Sequence, residues 1–142
     1  MLKGIPNIIS PDLMKALMEM GHGDEIVLAD GNFPATSHTS KLLRCDGHAI
    51  PELLEAILKF LPIDTYVDHP LALMAVVSGD PVQPTIWEEY KEIVQKELET
   101  VIPFEFMDRF EFYERTKKAF AVVATSEKAQ YANIILKKGV IK

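Results

Sequence analysis

A chain of 142 residues, 48% hydrophobic and 25% charged, has the length and composition of one ordinary globular domain, expected here to span residues 1–142. A net charge of −6 with dispersed acidic residues argues against binding phosphate backbones, and the single cysteine, Cys45, excludes an intrachain disulfide. Met1–Pro6 shows no basic-then-apolar leader, and the most apolar run, Leu71–Val77, is too short to cross a bilayer, so a cytoplasmic protein is expected.

Ser10-Pro11 is a helix start: the serine oxygen accepts from a first-turn amide, and proline suits the first helical position. Leu13, Leu17 and Met20 follow at helical spacing, and Gly21 is expected to stop the helix in the left-handed conformation. Ile26–Ala29 reads as a buried strand, and Asp30-Gly31-Asn32-Phe33-Pro34 as a loop. A second helix is predicted over Pro51–Phe60, a buried strand over Leu71–Val77, and a turn at Ser78-Gly79-Asp80-Pro81. A third helix is predicted over Pro84–Leu98, a strand over Phe104–Met107, a helix over Arg109–Lys118, and strands over Phe120–Thr125 and Tyr131–Leu136. Alternating helices and buried strands define an α/β class with helices covering a sheet. The two C-terminal strands are close in sequence, which suggests an antiparallel pair and a mixed sheet. Ligands of such sheets gather at the carboxyl ends of strands, which points to the loop beginning at Asp30.

Four places carry chemistry. His22 lies between Gly21 and Gly23, just beyond a predicted helix end, where an imidazole can exchange protons near neutral pH or merely cap the helix. Asp30 follows a strand, where its carboxylate can accept from two hydroxyls or close an Asx-turn. Arg109 offers a planar fork suited to hydroxyls or a carboxylate; its structural alternative is an ion pair with Asp108 or Glu105. Phe110, Phe112 and Tyr113 beside it form either a sugar-stacking wall or core. Tyr131-Ala132-Asn133 places a phenol and an amide at the start of an apolar run, where they recognise hydroxyls or begin a strand. His22, Asp24, Glu25, His38 and His48 include potential metal ligands, but no two histidines have zinc-type i, i+4 spacing and one cysteine makes no thiolate cluster, so no metal is expected. No Walker or dinucleotide glycine loop is present in the sequence.

Three segments, in order, resemble the fucose mutarotase and ribose pyranase family. They are Met20-Gly21-His22-Gly23-Asp24-Glu25-Ile26 with Asp30 and Phe33-Pro34-Ala35; Arg109-Phe110 with Phe112-Tyr113-Glu114-Arg115; and Lys128 through Val140. The resemblance spans essentially the whole chain. It implies an α/β/α sandwich with a mixed, mostly parallel sheet, and cofactor-independent isomerase activity on a free monosaccharide. It implies His22 as the proton donor, with Asp30, Arg109, Tyr131, Ala132 and Asn133 binding the sugar. It also implies cytoplasmic homo-oligomers, decamers among them, with sites completed by a neighbouring subunit. Histidine stands at the position of Arg109 in the ribose branch, so Arg109 favours L-fucose over D-ribose. Ala132, where some fucose enzymes carry glycine, keeps the position small. A D-ribose pyranase is the enzymatic alternative, and a non-catalytic sugar-binding accessory protein the alternative of another class.

Overall fold

A computed structural model describes all residues, Met1–Lys142. Its elements are α1 (Pro11–Glu19), β1 (Glu25–Ala29), a 3₁₀ turn (Thr36–His38), β2 (Leu42–Cys45), α2 (Ile50–Leu58), β3 (Leu71–Met74), α3 (Ile86–Leu98), β4 (Glu105–Met107), α4 (Arg109–Lys118), β5 (Ala121–Thr125) and β6 (Ile134–Lys137). The six strands form one sheet in the order β2-β5-β1-β6-β3-β4. The β2–β5, β1–β5 and β3–β4 pairs are parallel, and β6 runs antiparallel to both β1 and β3. The expected mixed, mostly parallel sheet is therefore present. The two C-terminal strands run in opposite directions, but β1 lies between them, so they are not partners.

The central strands read as unbroken apolar runs because both faces of the sheet are covered. Side chains alternate across a strand. Ile26, Leu28, Leu71, Leu73, Val123, Ile134 and Leu136 accordingly pack with Leu13 and Leu17 of α1, Leu53, Leu54 and Ile57 of α2, and Tyr90 and Val94 of α3. Val27, Ala29, Ala72, Met74, Val122 and Ile135 point the other way, toward Phe112 of α4 and Ala35. These two cores are the two interfaces of an α/β/α sandwich.

Local signals explain most boundaries. Ser10 Oγ accepts from the Leu13 amide at 3.1 Å with Pro11 opening α1, and Asp108 Oδ1 accepts from the Glu111 amide at 2.9 Å to open α4 where predicted. Gly21 is a correction. Met20 ends α1 in an extended conformation (φ −64°, ψ 135°), the Gly21 amide donates to Asp24 Oδ2 at 2.7 Å, and Gly23 takes the positive φ of 87°. The predicted strand at Tyr131–Leu136 begins only at Ile134, because Tyr131 stands at φ 57°, outside the extended region. The strand predicted to reach Val77 ends at Met74. No strand was expected at β2, an edge strand whose Leu42-Leu43-Arg44-Cys45 sequence shows no alternation.

Candidate functional site

The carboxyl ends of β1, β3 and β4 lie on one edge of the sheet, and because β6 runs backwards its amino end joins them. Four of the residues singled out from sequence meet there. Asp30, Arg109, Tyr131 and Asn133 line a cleft of about 240 Å³ together with Phe33, Met74, Asp80 and Tyr113.

The floor is fixed by buried polar contacts. The Asn133 Oδ1 accepts from the Asp30 amide at 2.8 Å, so Asn133 joins the loop after β1 to the start of β6. Asp30 Oδ1 accepts from the Asn32 amide at 3.0 Å. The Asx-turn considered from sequence is thus real, and Asp30 lines the cleft as well. Asp30 is only 8% exposed. Burial pushes its carboxyl above the usual carboxylate range, against the opposing pull of amides at Asn32, Ala132 and Phe33. Gly31 lets the loop lie close: a Cβ there would stand 3.2 Å from the Glu127 carbonyl oxygen, which accepts from the Gly31 amide at 2.9 Å.

Arg109 is exposed and makes neither of the ion pairs considered for it. The Asp108 carboxylate caps α4, and Glu105 pairs with Arg115, which also pairs with Glu25. The Arg109 Nε instead donates to the Tyr113 hydroxyl at 3.1 Å. A cation in the first turn of a helix opposes the helix dipole. That local cost is consistent with a residue kept for binding rather than stability. Of the neighbouring aromatics, Phe112 is fully buried core and Phe110 is exposed. Tyr113 meets Phe33 edge-on at 5.3 Å and His38 at 5.1 Å, making one wall. Ala132 contributes no side chain to the cleft; it is fully buried, and its carbonyl accepts from the Tyr90 hydroxyl at 2.6 Å.

His22 is elsewhere. It precedes β1 while Asp30 follows it, so the five residues of that strand alone separate them by about 16 Å. At its own edge His22 is paired: Nε2 lies 3.2 Å from Asp64 Oδ1, which also accepts from the Tyr66 amide at 3.0 Å. The Asp64 side chain is 3% exposed and that of His22 46% exposed. The Tyr66 amide, and then the imidazole, hold the Asp64 carboxyl below the usual range despite its burial. With Nε2 held by a carboxylate, Nδ1 is the ring nitrogen left to face outward, an arrangement that fixes tautomer and orientation. The Tyr66 ring lies 5.3 Å from the imidazole.

Sequence reasoning missed Asp64, which stands 42 residues from His22 in no recognisable motif. The C-terminal segment builds the junction. The Lys138 carbonyl accepts from the Gly23 amide at 2.9 Å, the Lys137 carbonyl from the Asp64 amide at 3.0 Å, and the Gly139 amide donates to the Pro62 carbonyl at 2.7 Å. A Cβ on Gly139 would lie 2.8 Å from both the Asp64 Cα and the Ile63 carbonyl oxygen. Gly139→Ala is therefore expected to cost about 1–3 kcal/mol by overpacking against backbone, read as a lower urea midpoint.

Taken together, the fold and site define an α/β/α protein with a small cleft lined by polar and aromatic side chains at the carboxyl edge of its sheet and a carboxylate-held histidine at the opposite edge. Residues 3–141 match the RbsD / FucU transport protein family, and the chain belongs to that family. It is 53% identical over 146 residues to the fucose mutarotase of Homo sapiens, covering 99% of this chain and 94% of the relative. It is 50% identical over 140 residues to the L-fucose mutarotase of Actinobacillus pleuropneumoniae serotype 5b (strain L20), covering 99% and 97%. The crystal structure of the fucose mutarotase in complex with L-fucose from Streptococcus pneumoniae matches with a TM-score of 0.92 and 56% identity, covering 99% of this chain and all of that one.

Proposed function

We propose that this protein is an L-fucose mutarotase, a cofactor-independent isomerase that interconverts the α and β anomers of the free sugar. The observation that carries the reading is the convergence of Asp30, Arg109, Tyr131 and Asn133 on one small cleft, in a chain about half identical over its full length to proteins of that name. The reaction needs little machinery. The anomeric hydroxyl loses a proton, the ring oxygen gains one, and the bond between C1 and the ring oxygen breaks. The aldehyde turns about C1–C2, and the reverse steps close the ring on its other face. Protonated His22 supplies the proton to the ring oxygen and regains it on closure. The proton of the anomeric hydroxyl passes to water. Asp30 orients the sugar by accepting from its hydroxyls, while Arg109, Tyr131 and Asn133, on the floor set with Ala132, hold the ring still. General acid catalysis of this kind contributes typically about 10²–10⁴-fold.

In this reading the whole chain, residues 1–142, acts as one domain of a cytoplasmic homo-oligomer, a decamer, in which His22 of one protomer completes the cleft of its neighbour. What supports the shared site is the span of β1 between His22 and Asp30 and the outward-facing, half-exposed imidazole.

Saturation-transfer NMR on equilibrated L-fucose tests the activity. The expected result is accelerated transfer between the α and β anomeric signals, with D-ribose ring forms exchanged more slowly. Faster pyranose–furanose exchange of D-ribose would replace the reading with a ribose pyranase. Binding without exchange of either sugar would replace it with a sugar-binding accessory protein.

A further inference from the structure

Tyr131 is one of two non-glycine residues with positive φ, the other being Glu99. The left-handed conformation costs an ordinary residue about 1–2 kcal/mol. Surrounding contacts enforce it. Trp87 Nε1 donates to the Tyr131 carbonyl at 2.8 Å, and the next carbonyl, of Ala132, accepts from Tyr90. So placed, the phenol reaches the loop after β3. Its hydroxyl donates to Asp80 Oδ2 at 2.5 Å and accepts from the Val77 amide at 3.3 Å. Asp80 is itself fixed: its Oδ1 accepts from the Val82 amide at 3.0 Å, and its amide donates to the Val77 carbonyl at 3.0 Å. Both side chains line the cleft.

A phenol carries one proton, and an ionised carboxylate only accepts. We propose that Asp80 is a positioning residue that fixes the hydrogen-bond polarity of Tyr131, so that the phenol oxygen receives a hydrogen bond from one sugar hydroxyl and cannot give one. The inference rests on the sugar occupying this cleft, as in the proposed function. Its consequence is a one-directional chain: the Arg109 guanidinium donates to the sugar hydroxyl, the hydroxyl to Tyr131, and Tyr131 to Asp80. A ring position bearing a group that accepts without donating breaks that chain. Asp80 lies below the usual carboxylate range chiefly through the Tyr131 hydroxyl, and Tyr131 lies above the usual phenol range chiefly through Asp80, which agrees with a neutral phenol beside an ionised carboxylate.

Asp80→Asn inverts the polarity. The Val82 amide demands a carbonyl oxygen at the Oδ1 position, which leaves the new NH₂ group facing the phenol and frees the Tyr131 proton for the cleft. Two measurements follow. In ring-labelled tyrosine NMR, which needs no sugar, Tyr131 is expected to titrate at lower pH in the variant than in the wild type. In binding, L-fucose is compared with its 2-, 3- and 4-deoxy-fluoro analogues, because fluorine accepts weakly and never donates. The wild type is expected to bind one analogue about tenfold or more weakly than L-fucose, the size of one lost hydrogen bond. Asp80→Asn is expected to close that gap to within about threefold and leave the gaps at the other positions unchanged. A variant that keeps the wild-type gap, or that weakens all four sugars alike, overturns the inference. Tyr131→Phe serves as the second variant, and a gap surviving there overturns the inference independently. If the folded wild type binds none of the four sugars, the proposed function falls and this inference with it. If the wild type exchanges L-fucose anomers and the variant keeps its gap, only this inference falls.

Discussion

His22→Ala is expected to slow L-fucose anomer exchange by about 10²–10⁴-fold, measured by saturation transfer, with circular dichroism unchanged. The fold should tolerate the change because the His22 side chain is half-exposed and packs into neither core. Its partner Asp64 keeps the Tyr66 amide as a donor. Full activity in His22→Ala would remove the histidine from the mechanism. A mixing experiment extends the test. His22 and Asp30 stand at opposite ends of β1, so each single-protomer defect lies at a different edge of the sheet. When His22→Ala and Asp30→Asn proteins are unfolded together and refolded, mixed assemblies are expected to show activity above that of either variant alone. Each mixed interface can bring an intact His22 to an intact Asp30. No recovery, in material shown by mass spectrometry to be mixed, would mean that the site is not shared between subunits.

Asp30→Asn is expected to lower activity by about tenfold or more, since it replaces a charged acceptor aimed at the sugar with a neutral one. The same change should raise stability at neutral pH. Burial disfavours the charged form, so the folded-state pKa lies above the unfolded value, near 3.9 for an ordinary aspartate. Below the unfolded pKa the group is protonated in both states and contributes nothing. Between the two values the folded state holds the extra proton, so stability falls as pH rises through that window. Above the folded pKa the full cost of the buried charge remains. Urea titrations from acid to neutral pH should therefore show a wild-type decline, attributable to this group, that Asp30→Asn lacks. Activity should depend on pH in the opposite sense, falling on acidification as the Asp30 carboxyl protonates. An Asp30→Asn protein no more stable than wild type at neutral pH would mean that hydrogen bonds from neighbouring amides fully offset the burial. Greater stability with lower activity is the usual exchange at a binding site.

Much of this arrangement was legible from local chemistry. The span of α4, Arg109–Lys118, is read correctly, although its Asp108 cap reads in sequence as an ion-pair partner, and the site at the carboxyl edge follows from placing Asp30 after an apolar strand. What escaped reading depends on contacts remote in sequence. Gly21 and Gly23 are equivalent as helix terminators in a linear string. Only the Asp24 carboxylate, accepting from the Gly21 amide, and the Lys138 carbonyl, accepting from the Gly23 amide, decide which one turns left-handed. Tyr131 looks like a strand opener until Trp87 and Tyr90 bind the carbonyls that hold it out of the strand. Asp64 has no signature at all, because its role is created by an imidazole 42 residues away and a glycine packed on its backbone. Asp80 was readable as a turn residue and nothing more. Its partner across the cleft is 51 residues further along.

The central place of β6 sets the order in which this protein can become whole. It is the last strand in the sequence, yet it bridges β1 and β3, the innermost strands of two otherwise separate parallel blocks. A nascent chain leaving the ribosome can assemble β2-β5-β1 on one side and β3-β4 on the other, but each block keeps an unpaired, largely apolar edge until Ile134–Lys137 arrives. The same insertion brings Asn133 against the Asp30 amide and Lys137 against the Asp64 amide. Closing the sheet, flooring the cleft and seating the histidine platform are thus one event, and a chain halted before it would offer two sticky half-sheets to chaperones rather than a slow enzyme.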